Sequence, residues 1–339
     1  MIRRTFIIVA IFATTINLVH AATFELPLEG QDVIGAISMV IATHDDTLID
    51  IARRHGLGYQ DIVRANPNIN IWVPGEGTEV ILPSRFILPP GPRTGLVLNL
   101  AEYRMYYYPK PAAGESAKVY TFPMSIGRMD WETPLGRTQI VAMAKNPTWY
   151  PPQSVRDEHA AEGDPLPRVV PPGPKNPLGT RALRLGMPGY LIHGTNRPAG
   201  VGMRVSHGCI RMLPEDVELL FDLIHVKAEV RIIDMPMKMG WDGEYIIAEA
   251  HQLLESSQPL LPEGIEGHIQ DLDTDIVPLN NELPSKDPLT LITEQFIEAT
   301  IERTGQLDWN IIEAMAKRLD GVPIVVGQSI VVIDDVKEM

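Results

Sequence analysis

The sequence predicts a mainly β domain, β-sandwich-like and carrying one helix near its functional site. A small α+β module precedes it and a small α/β region follows it. Three observations carry this reading. Between Leu96 and Asp234, short apolar runs recur between Gly, Pro and Asn turns, the spacing of an all-β sandwich or barrel. Residues 37–84 alternate strand-like with helix-like patterns, and beyond residue 236 acidity rises before helical periodicity returns. A chain of 339 residues is too long for one ordinary core, which fits several units.

Residues 1–21 have a basic start (Arg3, Arg4), an apolar run from Phe6 to Ala13 and the small-residue pattern Val19-His20-Ala21. This is the form of a secretory signal peptide, so the mature chain is expected to begin near Ala22. The apolar run is too short for a membrane span, and no later stretch reaches the ~20 apolar residues a transmembrane segment needs.

Residues 37–84 read as strand, helix, helix, strand. Ile37 to Ala42 forms the first strand, Asp46 or Thr47 can cap a helix with Leu48, Ile51 and Ala52 on one face, and Gly56 can end it. A second helix carries Ile62 and Ala65 and stops before Pro67, and Val80 to Pro83 is the closing strand. The series Asp46-Thr47-Leu48, Ile51-Ala52, Gly56, Ile62, Asn66-Pro67-Asn68 and the Gly77 to Pro83 ending resembles a LysM domain. That resemblance implies binding to N-acetylglucosamine-containing glycan; packing against the neighbouring domain is the alternative role.

After Pro89-Pro90-Gly91-Pro92, residues 93–235 form the expected catalytic domain. Its strands are Leu96 to Leu100, Arg104 to Tyr108, Val119 to Ile126, Thr138 to Ala144, Ala182 to Leu185, Tyr190 to His193 and Glu229 to Asp234. Pro214 can open the one helix, whose stripe is Val217, Leu220, Phe221 and Ile224. Residues 145–190 hold 10 of the chain's 30 prolines, and a long insertion without periodicity reads as a cap over the site.

The chain has one cysteine, Cys209, in Ser206-His207-Gly208-Cys209-Ile210-Arg211. An exported protein ordinarily pairs its cysteines, and a single one cannot form an internal disulfide. A lone cysteine is most often a small core residue, but glycine and histidine beside it point to a nucleophile. Only the thiolate is strongly nucleophilic, and a nearby imidazole can favour it. His193, at the end of an apolar strand and 16 positions before Cys209, is the expected general base; His207 is less well placed for that role. The N–H groups of Gly208 and Cys209 can hold a developing oxyanion, Ser206 can orient a histidine, and Arg211 can clamp a substrate carboxylate. The chemistry is acyl transfer through a thioester, for which no cofactor and no metal is expected.

His193-Gly194-Thr195-Asn196-Arg197-Pro198 with Ser206 to Met212, and the earlier turn Trp131-Glu132-Thr133-Pro134-Leu135-Gly136, resemble the signature of the L,D-transpeptidase catalytic domain (YkuD type). The Asn146 to Trp149 and Pro171 to Gly179 segments resemble its Gram-negative members, which implies a periplasmic location. The resemblance implies that the cysteine attacks a peptidoglycan tetrapeptide stem at diaminopimelate, releases D-Ala, and passes the acyl group to a second diaminopimelate or to the terminal lysine of an outer-membrane lipoprotein. It places catalytic roles on Cys209, His193, His207 and Gly208, and substrate contacts on Arg211, Ser206 and Gly194. A hydrolase with water as acceptor, and a wall-binding protein that uses only its LysM-like module, remain open as rival functions.

Residues 236–287 read as an acidic linker and 288–339 as a small C-terminal region. Residues 242–339 carry 20 acidic and 5 basic side chains, whereas residues 22–241 are nearly balanced. The overall charge of -14 excludes a basic nucleic-acid footprint.

Overall fold

A computed structural model of the chain describes residues 22–128, 131–254 and 287–330. The signal-peptide segment and residues 255–286 of the expected linker lie outside them.

The chain opens with β1 (Ala22–Glu25), which pairs antiparallel with a strand of the main domain, Ala22 opposite Thr121. The small module follows as β2 (Val33–Ile41), α1 (Leu48–Arg54), α2 (Tyr59–Ala65) and β3 (Glu79–Ile87), with β2 and β3 antiparallel. Thr47 caps α1: its side chain accepts the Asp50 N–H while the Asp50 carboxylate reaches back to the Thr47 N–H, a capping box. Asp46 instead accepts from Thr43 and pairs with Arg54.

The main domain runs β4 (Gly95–Asn99), β5 (Arg104–Tyr108), β6 (Lys118–Gly127), β7 (Gly136–Lys145), α3 (Gln153–Ala161), β8 (Arg181–Leu185), β9 (Leu191–His193), β10 (Arg204–Ser206), β11 (Ile210–Met212), α4 (Pro214–Leu223) and β12 (Glu229–Ile233). Hydrogen bonds link β6, β11, β9, β8, β7, β12, β4 and β5 in that order, and β5 returns to β6. The two layers expected of a sandwich are thus joined edge to edge. β1 and β10 add to β6 from outside this ring.

Strand alternation splits the interior into two cores. Leu96, Leu98, Met105 and Tyr107 point inward, with Phe122, Ile192, Ile210, Val217 and Leu220. Their neighbours Val97, Tyr106 and Tyr108 point outward and join Ile34, Leu48, Ile51, Ile62 and Val80 of the small module. The module therefore shares a core with the domain it precedes, and each fully buried large apolar side chain there contributes ~1.5–3 kcal/mol. Close backbone contact seals the joint: a Cβ on Gly202 would stand 2.4 Å from the Tyr59 nitrogen, and Tyr59 N donates to Val201 O at 2.9 Å.

The segment beginning at residue 236 is not all linker. β13 (Met237–Asp242) and β14 (Tyr245–Ala250) form a hairpin, because both strands have apolar residues to bury against the helices that come later. α5 (Pro288–Ala299), β15 (Gly305–Leu307), α6 (Trp309–Arg318) and β16 (Ile324–Ser329) complete a sheet of order β13-β14-β16-β15 with a third core around Trp241, Ile246, Ile292, Ile312 and Met315. The insertion of residues 145–190 also contains regular structure: Gln153 to Ala161, free of proline and glycine, form α3.

Candidate active site

The site is built on β9 and β11, which run parallel with Ile210 opposite Ile192 and Arg211 opposite His193. Ile192 and Ile210 enter the core, so their alternating neighbours face the other way. Cys209 stands one residue before Ile210 and shares that outer face with Arg211 and His193. The chain segments are separate in sequence; the strand register brings them together.

His193 is buried, and its Nδ1 lies 2.6 Å from Gly194 O. A carbonyl can only accept, so Nδ1 carries the proton and Nε2 is left as an acceptor. Burial and the charge of Arg211 lower its pKa to about 3, against the opposing Gly194 bond. The imidazole is therefore neutral, as a base must be. Cys209 is half-buried with Sγ 3.7 Å from Gly189 O. Burial pushes its thiol above the ordinary value, while a backbone bond at Leu191 and the charge of Arg211 pull the other way. Both shifts favour the neutral form, of the thiol and of the imidazole alike.

The loop carrying Cys209 is held from both sides. Gly208 has φ +91, and a Cβ there would meet the Tyr190 ring at 2.9 Å and Trp131 O at 3.3 Å, so only glycine fits. Its carbonyl accepts from Thr133 Oγ1 at 2.9 Å, and Thr133 Oγ1 in turn accepts the Gly127 N–H at 3.2 Å. Ser206 Oγ donates to Cys209 O at 2.5 Å. Ser206 therefore braces the Cys209 backbone and not a histidine. Gly194, expected to touch substrate, is buried, and its carbonyl orients His193.

His207 goes elsewhere. Its Nε2 lies 2.7 Å from Glu158 Oε2 on α3 and 3.4 Å from Arg128 Nη2, with Trp131 edge-on at 5.4 Å between centroids. Arg128 Nη2 donates to Glu158 Oε1 at 2.5 Å. The two donors hold the Glu158 carboxyl below its ordinary value. Arg211 is flanked by the charges of Arg197 and Arg128, which together with burial lower its pKa. Among the described residues, neither the Arg211 nor the Arg197 guanidinium has a carboxylate partner.

Sequence reasoning missed Glu158, Arg128 and Thr133 as parts of this site. Thr133 lay within a quoted motif, and an unbroken run of helix formers after Pro152 was the available signal for Glu158.

Residues 93–232 match the YkuD family, the L,D-transpeptidase catalytic domain, and residues 43–74 match the LysM domain. The chain is 34% identical over 309 residues to "Probable L,D-transpeptidase ErfK/SrfK" of Salmonella typhimurium, covering 90% of this chain and 91% of that protein. It is 38% identical over 243 residues to "Probable L,D-transpeptidase YbiS" of Escherichia coli K12, covering 70% and 78%. It is 36% identical over 260 residues to "Probable L,D-transpeptidase YcfS" of the same organism, covering 74% and 80%.

Proposed function

The chain belongs to the L,D-transpeptidase family, and on that premise we propose that it works in the periplasm and carries a peptidoglycan stem as a thioester on Cys209. The donor is a tetrapeptide stem, attacked at the carbonyl that follows the L-centre of meso-diaminopimelate. His193 Nε2 takes the thiol proton as sulfur bonds to carbon. The N–H groups of Gly208 and Cys209 face the oxygen that becomes negative. Collapse of this intermediate breaks the bond to D-Ala, whose amine leaves with the proton from His193. An acceptor amine then attacks the thioester, gives its proton to His193, and the thiol leaves reprotonated. The acceptor is the side-chain amine of a second diaminopimelate, giving a 3→3 link, or a lipoprotein lysine.

The observation that carries this reading is the parallel register of β9 and β11, which puts Cys209, His193 and Arg211 on one face with the His193 tautomer fixed by Gly194. The guanidinium groups of Arg211 and Arg197 suit a donor rich in free carboxylates. The LysM-like module supports peptidoglycan as the substrate. Among the described residues, no helix is long and apolar enough to cross a membrane.

The test is incubation of the purified protein with disaccharide-tetrapeptide, followed by mass spectrometry. The expected product is an amide-linked dimer with loss of D-Ala, absent for Cys209→Ala. Tripeptide without dimer, when acceptor amine is supplied, would replace transfer with hydrolysis. Unchanged product from Cys209→Ala would remove the thioester altogether.

A further inference from the structure

The insertion's outer lobe is fixed at its base and gripped at one side. At the base, the fully buried Asn176 donates to Pro147 O at 2.8 Å and accepts the Leu178 N–H at 2.9 Å. Trp149 and Val170 bridge beside it. Between them, α3 is anchored by buried Val155, and the charged grip is Glu158 on Arg128 and His207.

The cysteine loop has its own holds, Thr133 on the Gly208 carbonyl and Ser206 on the Cys209 carbonyl, apart from this grip. What the grip does is place a carboxylate on a member of the cationic group around Arg211, whose charge in turn acts on Cys209. Of Arg128, Arg197 and Arg211, only Arg128 carries a carboxylate partner among the described residues, and the lobe supplies it.

We propose that Glu158 is an internal stand-in for a substrate carboxylate: it seats the lobe over the site at rest and must leave Arg128 for an anionic donor to engage. Glu158 is thus a positioning residue that tunes donor affinity. It rests on the reading of Cys209 as nucleophile and of the donor as a carboxylate-rich stem.

The experiment alkylates Cys209 in the full mature protein with iodoacetate and with iodoacetamide, in each case displacing iodide to leave a thioether. The two reagents differ in the carboxylate. For Glu158→Gln the ratio of iodoacetate to iodoacetamide rates should rise roughly two- to fivefold, the scale of one exposed ion pair. In Glu158→Gln/Arg128→Gln the rise should vanish. With stem donor, Glu158→Gln should lower KM and change kcat little. An unchanged rate ratio in a variant of native melting temperature overturns the proposal, as does a rise that persists without Arg128. A rise in the ratio with no turnover of stem donor would leave the stand-in intact and sink the assigned substrate.

Discussion

Two clusters of ionisable groups in this molecule are built on opposite rules. At the junction of the three units, Lys238 is fully buried between Glu102 and Glu249; Glu249 lies 2.8 Å away and also takes His251 at 3.1 Å. Tyr106 donates to Glu102 at 2.6 Å, and Arg104 meets Asp61 at 2.5 Å and Thr121 at 3.0 Å while lying over the Phe86 ring. Every charge named there has a counter-charge. At the cysteine, a thiol and an imidazole are both kept neutral, and Arg197 and Arg211 lack carboxylates among the described residues. A buried charge without a partner is costly, so the first cluster is built to hold and the second is left open for a ligand's own charges.

This contrast can be broken from either side. His193→Gln should lower kcat about 10²- to 10⁴-fold, the range for loss of a general base, with an unchanged melting temperature; a comparable loss of stability would make His193 structural. Lys238→Met should do the reverse. It strands Glu102 and Glu249 and should cost about 3–5 kcal/mol of unfolding free energy in denaturant titration, with the chemistry of any folded fraction intact.

Asp216 is the exception within the paired side and sharpens the rule. It lies in the first turn of α4, is buried with one oxygen unpartnered, and burial followed by the Glu215 charge pushes it up to about 8. A carboxyl raised in the folded state binds more protons there than in the unfolded chain. Its ionisation therefore erodes stability as pH rises from its ordinary value of 3.8 toward about 8. Asp216→Asn removes that erosion. The stability gap in favour of the variant should widen by about 1 kcal/mol or more between pH 4 and pH 8, and a gap independent of pH would show that Asp216 ionises normally. The smallest effect belongs to the bidentate pair of Arg53 with Glu215, at 2.7 and 2.8 Å and partly exposed. Arg53→Ala should cost about 1 kcal/mol or less, read as a small shift of the unfolding midpoint.

How far the sequence foretold this arrangement depends on whether the signal was local. The β4 and β5 runs, the Pro214 helix and the Thr47 cap were legible because alternation, a fixed φ and a capping box act over a few residues. Cys209 stood out as a candidate nucleophile because a lone cysteine preceded by glycine and histidine is locally odd. The role of Ser206 was misread because its partner, the Cys209 carbonyl, depends on the turn adopted. The helix of Glu158 had a local signal, but its place at the site did not, because its partners, Arg128 and His207, are distant in sequence. The start of the expected linker was misassigned because β14 pairs with β16, across residues 255–286. The β13–β14 hairpin, with Asp242-Gly243 at its turn, was the local signal that went unread.

The backbone contact of Gly58 and Tyr59 with Gly202 leaves the LysM module without slack. A binding unit on a flexible tether lets its enzyme search a volume set by tether length. Here the offset between module and Cys209 is fixed by packed residues, so on the proposed function the module would act as a gauge: a stem would lie at the right distance from the grip point, or be out of reach.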